Sequence, residues 1–163
     1  MQLDYTINQA VAREGMIADA TYYKDVASLK AAAGPVFIGR VVTRGTDSED
    51  IVHPDAIAEV TNELAVRGVV LHAHNNESKR DELDASWPEG SVVPVMRKGR
   101  VWVKALTNAT EQSGSVHVVV DGSEPLGALR GTADSTNTAV LPKARWITST
   151  SGADQLAVLE LGL

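Results

Sequence analysis

Residues 91–106 have the sequence Ser91-Val-Val-Pro-Val-Met-Arg-Lys-Gly-Arg-Val-Trp-Val-Lys-Ala-Leu106. Two valine-rich segments flank Lys98-Gly99, and β-branched and aromatic side chains favour the half-buried surface of a strand. A glycine-centred turn between two such segments predicts a β-hairpin. Pro94 has no N–H to donate to a sheet ladder, which predicts that its strand lies at a sheet edge or at a bulge.

Other segments rich in β-formers occur on both sides of this stretch, at residues 36–43, 67–74, 116–120, 144–148 and 155–161. Short strands separated by turn residues predict an all-β fold, namely a single-domain β-sandwich or jelly-roll-like barrel with at most one or two short helices. Within residues 54–65, Ile57, Val60 and Leu64 have spacings of three and four, which favours a short helix. An extended conformation is also compatible with this segment.

The first 35 residues differ in character from the rest, because their apolar residues are scattered among glycines and polar groups. They predict an irregular N-terminal arm, residues 1–35, followed by a β-sandwich body, residues 36–163. One helical turn is compatible with Ser28 to Ala33 before Gly34-Pro35 stops it. Because chain termini are usually frayed unless something holds them, we expect the arm to pack on neighbouring chains.

The composition excludes several classes of protein. The chain has 163 residues, no cysteine and a formal net charge of −6, which suits one domain without a disulfide framework, a catalytic thiol or a zinc finger. The excess of acid disfavours general binding to nucleic acid or anionic lipid. The first residues lack the basic and apolar regions of a signal peptide, and no run reaches the ~18 apolar residues of a membrane span. We therefore expect no direct nucleic-acid partner and no membrane contact.

The sharpest candidate for chemistry is the pair His72 and His74. Residues i and i+2 of a strand share a face, so both imidazoles could reach one metal ion, as in a cupin-like β-barrel enzyme. A third ligand would be needed, and the candidates are His53, His117 and Glu77. Histidines that face solvent or a subunit contact at a strand end explain the same pattern.

Other catalytic signatures are absent from the sequence. It contains no Gly-x-Ser-x-Gly, no Gly-x-x-x-x-Gly-Lys-Ser/Thr and no Gly-x-Gly-x-x-Gly opening a helix. We therefore expect no enzymatic activity and no cofactor.

One segment is locally basic, since residues 97–104 carry four cations and no acid. On an acidic protein, this segment could dock on an acidic partner surface. Alternatively, its charges keep an edge hairpin soluble. The candidate partner contacts are therefore three cations of this segment and three apolar or aromatic residues of the arm: Arg97, Lys98, Arg100, Tyr5, Ile7 and Ile17.

Four stretches follow one another along residues 15–160. They are Gly15-Met-Ile-Ala-Asp19 with Asp25-Val-Ala-Ser28, Phe37-Ile-Gly-Arg-Val-Val42, Gly68-Val-Val-Leu71, and Pro88 to Val103. An Ala-Arg-Trp strand and an aliphatic terminal strand come after them. Their order and spacing resemble those of the tailed-phage structural cement (decoration) proteins.

This resemblance implies a β-sandwich or jelly-roll-like body that oligomerises and clamps neighbouring subunits of the capsid. The implied partners are the major capsid protein and further copies of the chain itself, as a dimer or trimer. The implied location is the virion, on the outer surface of the capsid, after synthesis in the bacterial host cytoplasm. The family offers no catalytic residues to transfer. Another phage assembly component, of the tail or of head completion, is the alternative within the same class.

Overall fold

The computed structural model describes residues 12–73, 85–111 and 114–162. Within these ranges the chain is all-β, as predicted, with a single short helix. The elements in chain order are β1 (Asp25–Ala31), β2 (Val36–Phe37), β3 (Val41–Arg44), β4 (Asp50–Val52), α1 (Ile57–Thr61), β5 (Val66–Val70), β6 (Ser86–Trp87), β7 (Val92–Ala105), β8 (His117–Val119), β9 (Leu129–Arg130), β10 (Thr138–Val140), β11 (Ala144–Trp146) and β12 (Gln155–Gly162). No helix in the described ranges has the length and apolarity that a membrane crossing requires.

Strand β7 is the longest element and belongs to both halves of the fold. Its first half pairs antiparallel with β1 from Val92 to Lys98, and with β5 at Val95 and Met96. Its second half pairs antiparallel with β12 from Lys98 to Ala105. One backbone therefore supplies the hydrogen-bond ladder of two different sheet regions.

Five strands form a closed ring. The order β1-β4-β3-β5-β7 returns to β1 through the pairing of β1 with β7, which makes a small barrel. Every pair in the ring is antiparallel except β1 with β4. All five strands contribute to the buried cluster that fills the barrel: Ala31, Val36, Ile38, Val42, Ile51, Val70, Val93 and Val95. Closure of the ring removes exposed strand edges and protects the backbone of this half.

The second half of the sheet surrounds a larger apolar core. Here β7 is flanked by β12 and β11, and β9, β8 and β10 extend the sheet from the end of β7. The fully buried Trp146 packs there with residues of β7 and β12, among them Val101, Val103 and Leu159. Because the chain has only seven aromatic residues, valine and leucine supply most of the buried apolar side chains of the described residues.

The hairpin predicted at Lys98-Gly99 is wrong, because residues 92–105 form one continuous strand. Each half of this strand finds a partner elsewhere in the chain, so the two halves do not pair with each other. The register against β1 shifts between Asp25 and Val26, which leaves Arg97 as an extra residue in β7. Such a bulge bends a strand and turns its side chains. Before the bulge Val93 and Val95 face the barrel, and after it Val101 and Val103 face the second core.

Pro94 lies in a strand that has neighbours on both sides, so of the two predicted places, a sheet edge or a bulge, the edge is wrong; β7 does contain a bulge, three residues further on at Arg97. Its carbonyl oxygen accepts a hydrogen bond from the N–H of Leu71, just beyond the end of β5 at Val70. The N–H and C=O of one strand residue point to the same side. The donor that Pro94 lacks would therefore face Leu71, whose carbonyl oxygen instead accepts a hydrogen bond from Nε1 of Trp87 at 3.2 Å.

Residues 12–35 lie on the chain's own sheet, so the irregular conformation predicted up to residue 35 is wrong for 25–31, which form β1. The helical turn compatible with Ser28 to Ala33 does not form, since residues 28–31 belong to β1 and Ala32 and Ala33 are not helical. Upstream, the N–H of Gly15 donates to the carbonyl of Trp102 at 2.7 Å, and Ile17 forms an isolated bridge with Val101. Packing of residues 1–35 on neighbouring chains stays a prediction.

Residues 54–65 contain the helix that their spacing favoured, although it covers only Ile57–Thr61. Val60 of this helix is fully buried, whereas Ile57 and Leu64 are exposed. The helix packs beside β10.

Gly68 lies where strands β5 and β7 of the barrel approach each other closely, and its substitution tests this contact. It has φ +132° in β5, and a Cβ there would overlap the carbonyl oxygen of Met96 in β7. Gly90 has φ +83° but no heavy atom within 4 Å of its Cβ position. We expect Gly68→Ala to lower the free energy of unfolding by at least about 2 kcal/mol, because strain and overlap add. Gly90→Ala, the matched control, has the strain alone and should cost about 1 kcal/mol. Equal urea midpoints for the two variants would contradict this account.

Candidate interaction surfaces

The predicted metal pair cannot be assembled from the described residues, because His74 lies outside them. His72 follows β5, is half-buried, and its backbone N–H donates to the carbonyl of Gly15 at 3.0 Å. Within residues 12–73, 85–111 and 114–162 no three His, Asp or Glu side chains come together as a metal site. Of the three candidate third ligands, Glu77 also lies outside, and His117 is half-buried on β8. The pair itself stays a prediction.

His53, the remaining candidate ligand, has both ring nitrogens occupied. The N–H of Phe37 donates to Nε2 at 3.0 Å, which leaves the proton on Nδ1 to be donated to the carbonyl of Val41, also at 3.0 Å. Phe37 and the imidazole are stacked, with centroids 5.8 Å apart, and the guanidinium of Arg40 lies over the Phe37 ring at 4.3 Å. His53 therefore connects the start of β3 to β2, a structural role that leaves no nitrogen for a metal.

An open pocket of about 480 Å³ lies beside this histidine. Its titratable lining residues are Arg40, His53, Asp55 and Glu59. Since both nitrogens of His53 are held by the backbone, this imidazole is not available to move a proton. The lining therefore offers no paired acid and base.

Burial lowers the pKa of His53 from 6.5 to about 4, with a smaller lowering by Arg40 and an opposing effect of the hydrogen bond to Val41. The unfolded chain therefore takes up a proton at a higher pH than the folded chain does. The stabilisation is complete above about pH 6.5 and is lost as the pH falls from 6.5 towards 4. The whole effect is up to about 3 kcal/mol.

Urea unfolding at a series of pH values tests this. We expect His53→Gln to be less stable than the parent at pH 7, because two hydrogen bonds are altered, and to show a shallower loss of stability between pH 6.5 and 4. The carboxylates contribute equally to the pH dependence of both proteins, so the difference between the slopes of unfolding free energy against pH reports the imidazole alone. Parallel curves would show that His53 does not titrate in this way.

Arg100 lies in a cluster of charges that runs across three strands. On one side its Nε donates to Glu160 Oε2 at 2.8 Å, and Nε of Arg145 donates to the other carboxylate oxygen at 2.7 Å. On the other side its Nη1 is 3.5 Å from Asp19 Oδ2, and its guanidinium lies 4.3 Å from the centroid of the Tyr22 ring. The predicted contact residue Arg100 is therefore engaged within the chain, where it fastens residues 19–22 to the sheet.

The carboxylates of this cluster are held in their charged form. Partial burial opposes ionisation of Glu160, but hydrogen bonds from Arg100 and Arg145 outweigh it and lower the pKa of Glu160 below its usual value. Hydrogen bonds from the side chain and N–H of Thr21 lower the pKa of Asp19. The cluster contains two acids and two bases and is neutral as a whole.

The segment just before and within β1 exposes apolar side chains. They are Met16, Ile17, Tyr22, Tyr23 and Val26, and we call residues 16–26 the apolar strip. Tyr23 is 73% exposed and Val26 42% exposed. Of the predicted arm contacts, Ile17 belongs to this strip, whereas Tyr5 and Ile7 lie outside the described residues. Contiguous exposed apolar side chains mark contact surfaces.

Arg97 and Lys98 differ from Arg100, because neither forms an ion pair within the part of the chain that the structure describes. Arg97 is exposed and Lys98 half-buried. Arg44 and Arg67, which the sequence did not single out, are like-charged neighbours in this region. No local pattern marks these two residues, and only the strand order brings them to Arg97.

Comparisons with known proteins agree with the fold. The sequence model of the structural cement protein family (E217 gp24/Pam3 gp6) matches residues 1–162. Among solved structures, one chain of "The capsid of Myoviridae Phage XM1" superposes with a TM-score of 0.71 at 15% identity, covering 99% of this chain and 98% of that chain. At that identity the likeness concerns the fold alone. No curated protein matches the sequence.

Proposed function

The chain belongs to the phage structural cement protein family, and from that premise we propose that it binds the outer surface of the assembled head and stabilises contacts between major capsid subunits. Membership makes it a structural protein of the viral capsid that associates with capsid proteins. The outer surface, the clamping of neighbouring subunits, a dimeric or trimeric state and the lack of catalysis and of direct nucleic-acid contact are parts of the proposal.

The family match over nearly the whole chain is the observation that carries this proposal. The physical requirements of cement are modest. A protein that binds the assembled shell but not the free subunit stabilises the shell by mass action. Repetition of one modest contact around a symmetric shell adds avidity without a strong single site.

The apolar strip is the part of the described surface best suited to a neighbouring chain. The charge cluster around Arg100 fastens residues 19–22, and backbone hydrogen bonds fasten Gly15 and Ala18 to β7. The backbone of the strip is thus held in place before binding, which reduces the entropy lost on association. Residues 1–11, which precede it and include Tyr5 and Ile7, extend the proposed contact.

Sedimentation tests the proposal. We expect the full chain to migrate with heads assembled without it and to raise the temperature at which those heads open, because binding favours the closed shell. The free major capsid subunit, mixed at the same concentration, should not be bound. If the heads pellet bare while the chain stays at the top of the gradient, the proposed function is wrong.

Deletion of residues 1–11 tests the N-terminal contact. Ala12 is 5% exposed, so a deletion ending at residue 11 spares the first buried side chain of the described chain. We expect the shortened protein to keep the β-type far-UV spectrum and the urea midpoint of the full chain, and to bind heads at least about tenfold more weakly. Full binding by the shortened protein would show that residues 1–11 make no contact.

A further inference from the structure

Three arginines lie on three neighbouring strands of the barrel. Arg44 ends β3, Arg67 lies in β5 and Arg97 lies in β7. Strand β5 pairs with β3 on one side and with β7 on the other. Neighbouring strands are about 4.8 Å apart, so the three residues span about 10 Å across the sheet.

Two of these arginines are the extra residues of β-bulges. Val42 pairs with Gly68 and Thr43 with Val66, which leaves Arg67 without an opposite residue in β3. In the same way, Asp25 pairs with Lys98 and Val26 with Met96, which leaves Arg97 without an opposite residue in β1. A bulge leaves its extra residue unpaired and turns the side chain away from regular alternation. This explains how Arg97 is exposed although Val95, two residues earlier in the strand, is buried.

Arg44, Arg67 and Arg97 form no ion pair with a carboxylate within the described part of the chain. Arg100, Arg130 and Arg145 all form ion pairs with carboxylates. By contrast, Arg67 donates only from Nη2 to the backbone carbonyl of Ser48 at 3.1 Å, and its Nε is buried without a partner.

The electrostatic environment of Arg67 is consistent with this. Burial lowers its pKa, and the neighbouring charges of Arg44 and Arg97 lower it further. An unsatisfied donor and adjacent like charges both cost stability. A carboxylate placed over the accessible part of the Arg67 guanidinium would offset the repulsion among the three like charges.

We propose that Arg44, Arg67 and Arg97, which we call the arginine row, bind an acidic segment of a capsid protein. This inference rests on the proposed function and names the chemistry of its partner. Guanidinium groups bind carboxylates through paired, charge-assisted hydrogen bonds. On an extended acidic segment, alternate side chains on one face are about 7 Å apart, so two carboxylates fit the width of the row.

Nucleic acid fits the same surface less well. Ser48 belongs to the turn Asp47-Ser-Glu-Asp50, so three acidic residues flank the row. The chain as a whole carries a net charge of −6. A long polyanion would meet the repulsion of the acidic surface along its whole length, whereas a short acidic segment of a protein would meet only that of the flanking turn.

The test compares two double variants of the full chain that change the net charge equally. Arg67→Gln with Arg97→Gln removes two members of the row. Lys30→Gln with Lys143→Gln removes an exposed lysine of β1 and one whose partner Glu63 is also exposed. We expect the arginine variant to bind undecorated heads at least about tenfold more weakly than the parent and to lose most of the salt dependence of binding. The lysine variant should bind nearly as the parent does.

Each outcome has a distinct meaning. Equal binding by the two double variants overturns the arginine row while the proposed function stands. Failure of the parent to bind overturns the proposed function instead. If Arg67→Gln unfolds the protein, Arg97→Gln against Lys30→Gln decides the matter, because both side chains are exposed.

Competition identifies the chemistry of the partner. Soluble polyglutamate should displace the parent from heads, and the arginine variant should be insensitive to it. Displacement by a DNA duplex but not by polyglutamate would show that the row binds nucleic acid and would overturn the proposal.

Discussion

The fold depends on the fact that β7 satisfies its backbone hydrogen bonds in two places. From Val92 to Lys98 the strand closes the barrel, and from Lys98 to Ala105 it carries β12. Buried backbone groups without partners are costly, so the departure of either half of β7 would expose the ladder of the strands paired with that half. The bulge at Arg97 lets one strand serve both cores, because it changes which side chains face inward.

The same constraint organises the surface. The bulge that switches the cores also places Arg97 outside, next to Arg67 on the bulge of β5. Further along β7, Arg100 is the centre of the cluster that fastens residues 19–22. Arg97 of the arginine row and Arg100, which fastens the apolar strip, therefore lie on the same strand. A surface held in this way loses little conformational entropy when it binds.

The fold class followed from the short β-rich segments, and the likeness to cement proteins followed from the order of four motifs. The topology did not follow from the sequence. In residues 92–105 the alternation of apolar residues changes its phase once, and a turn at Lys98-Gly99 explains that change as well as a bulge does. Strand β1 was missed since Asp25–Ala31 has few β-branched residues and only one fully buried side chain. The row was only partly predictable: Arg97 belongs to a basic segment, but Arg44 and Arg67 join it through strand order alone.

The number of copies of this chain in purified virions tests the central claim most directly, because a symmetric shell repeats every binding site. Cement predicts a copy number on the order of hundreds per particle, in fixed proportion to the major capsid protein. A copy number on the order of ten or fewer, found only in the tail fraction after heads and tails are separated, would assign the chain to the tail and contradict the account.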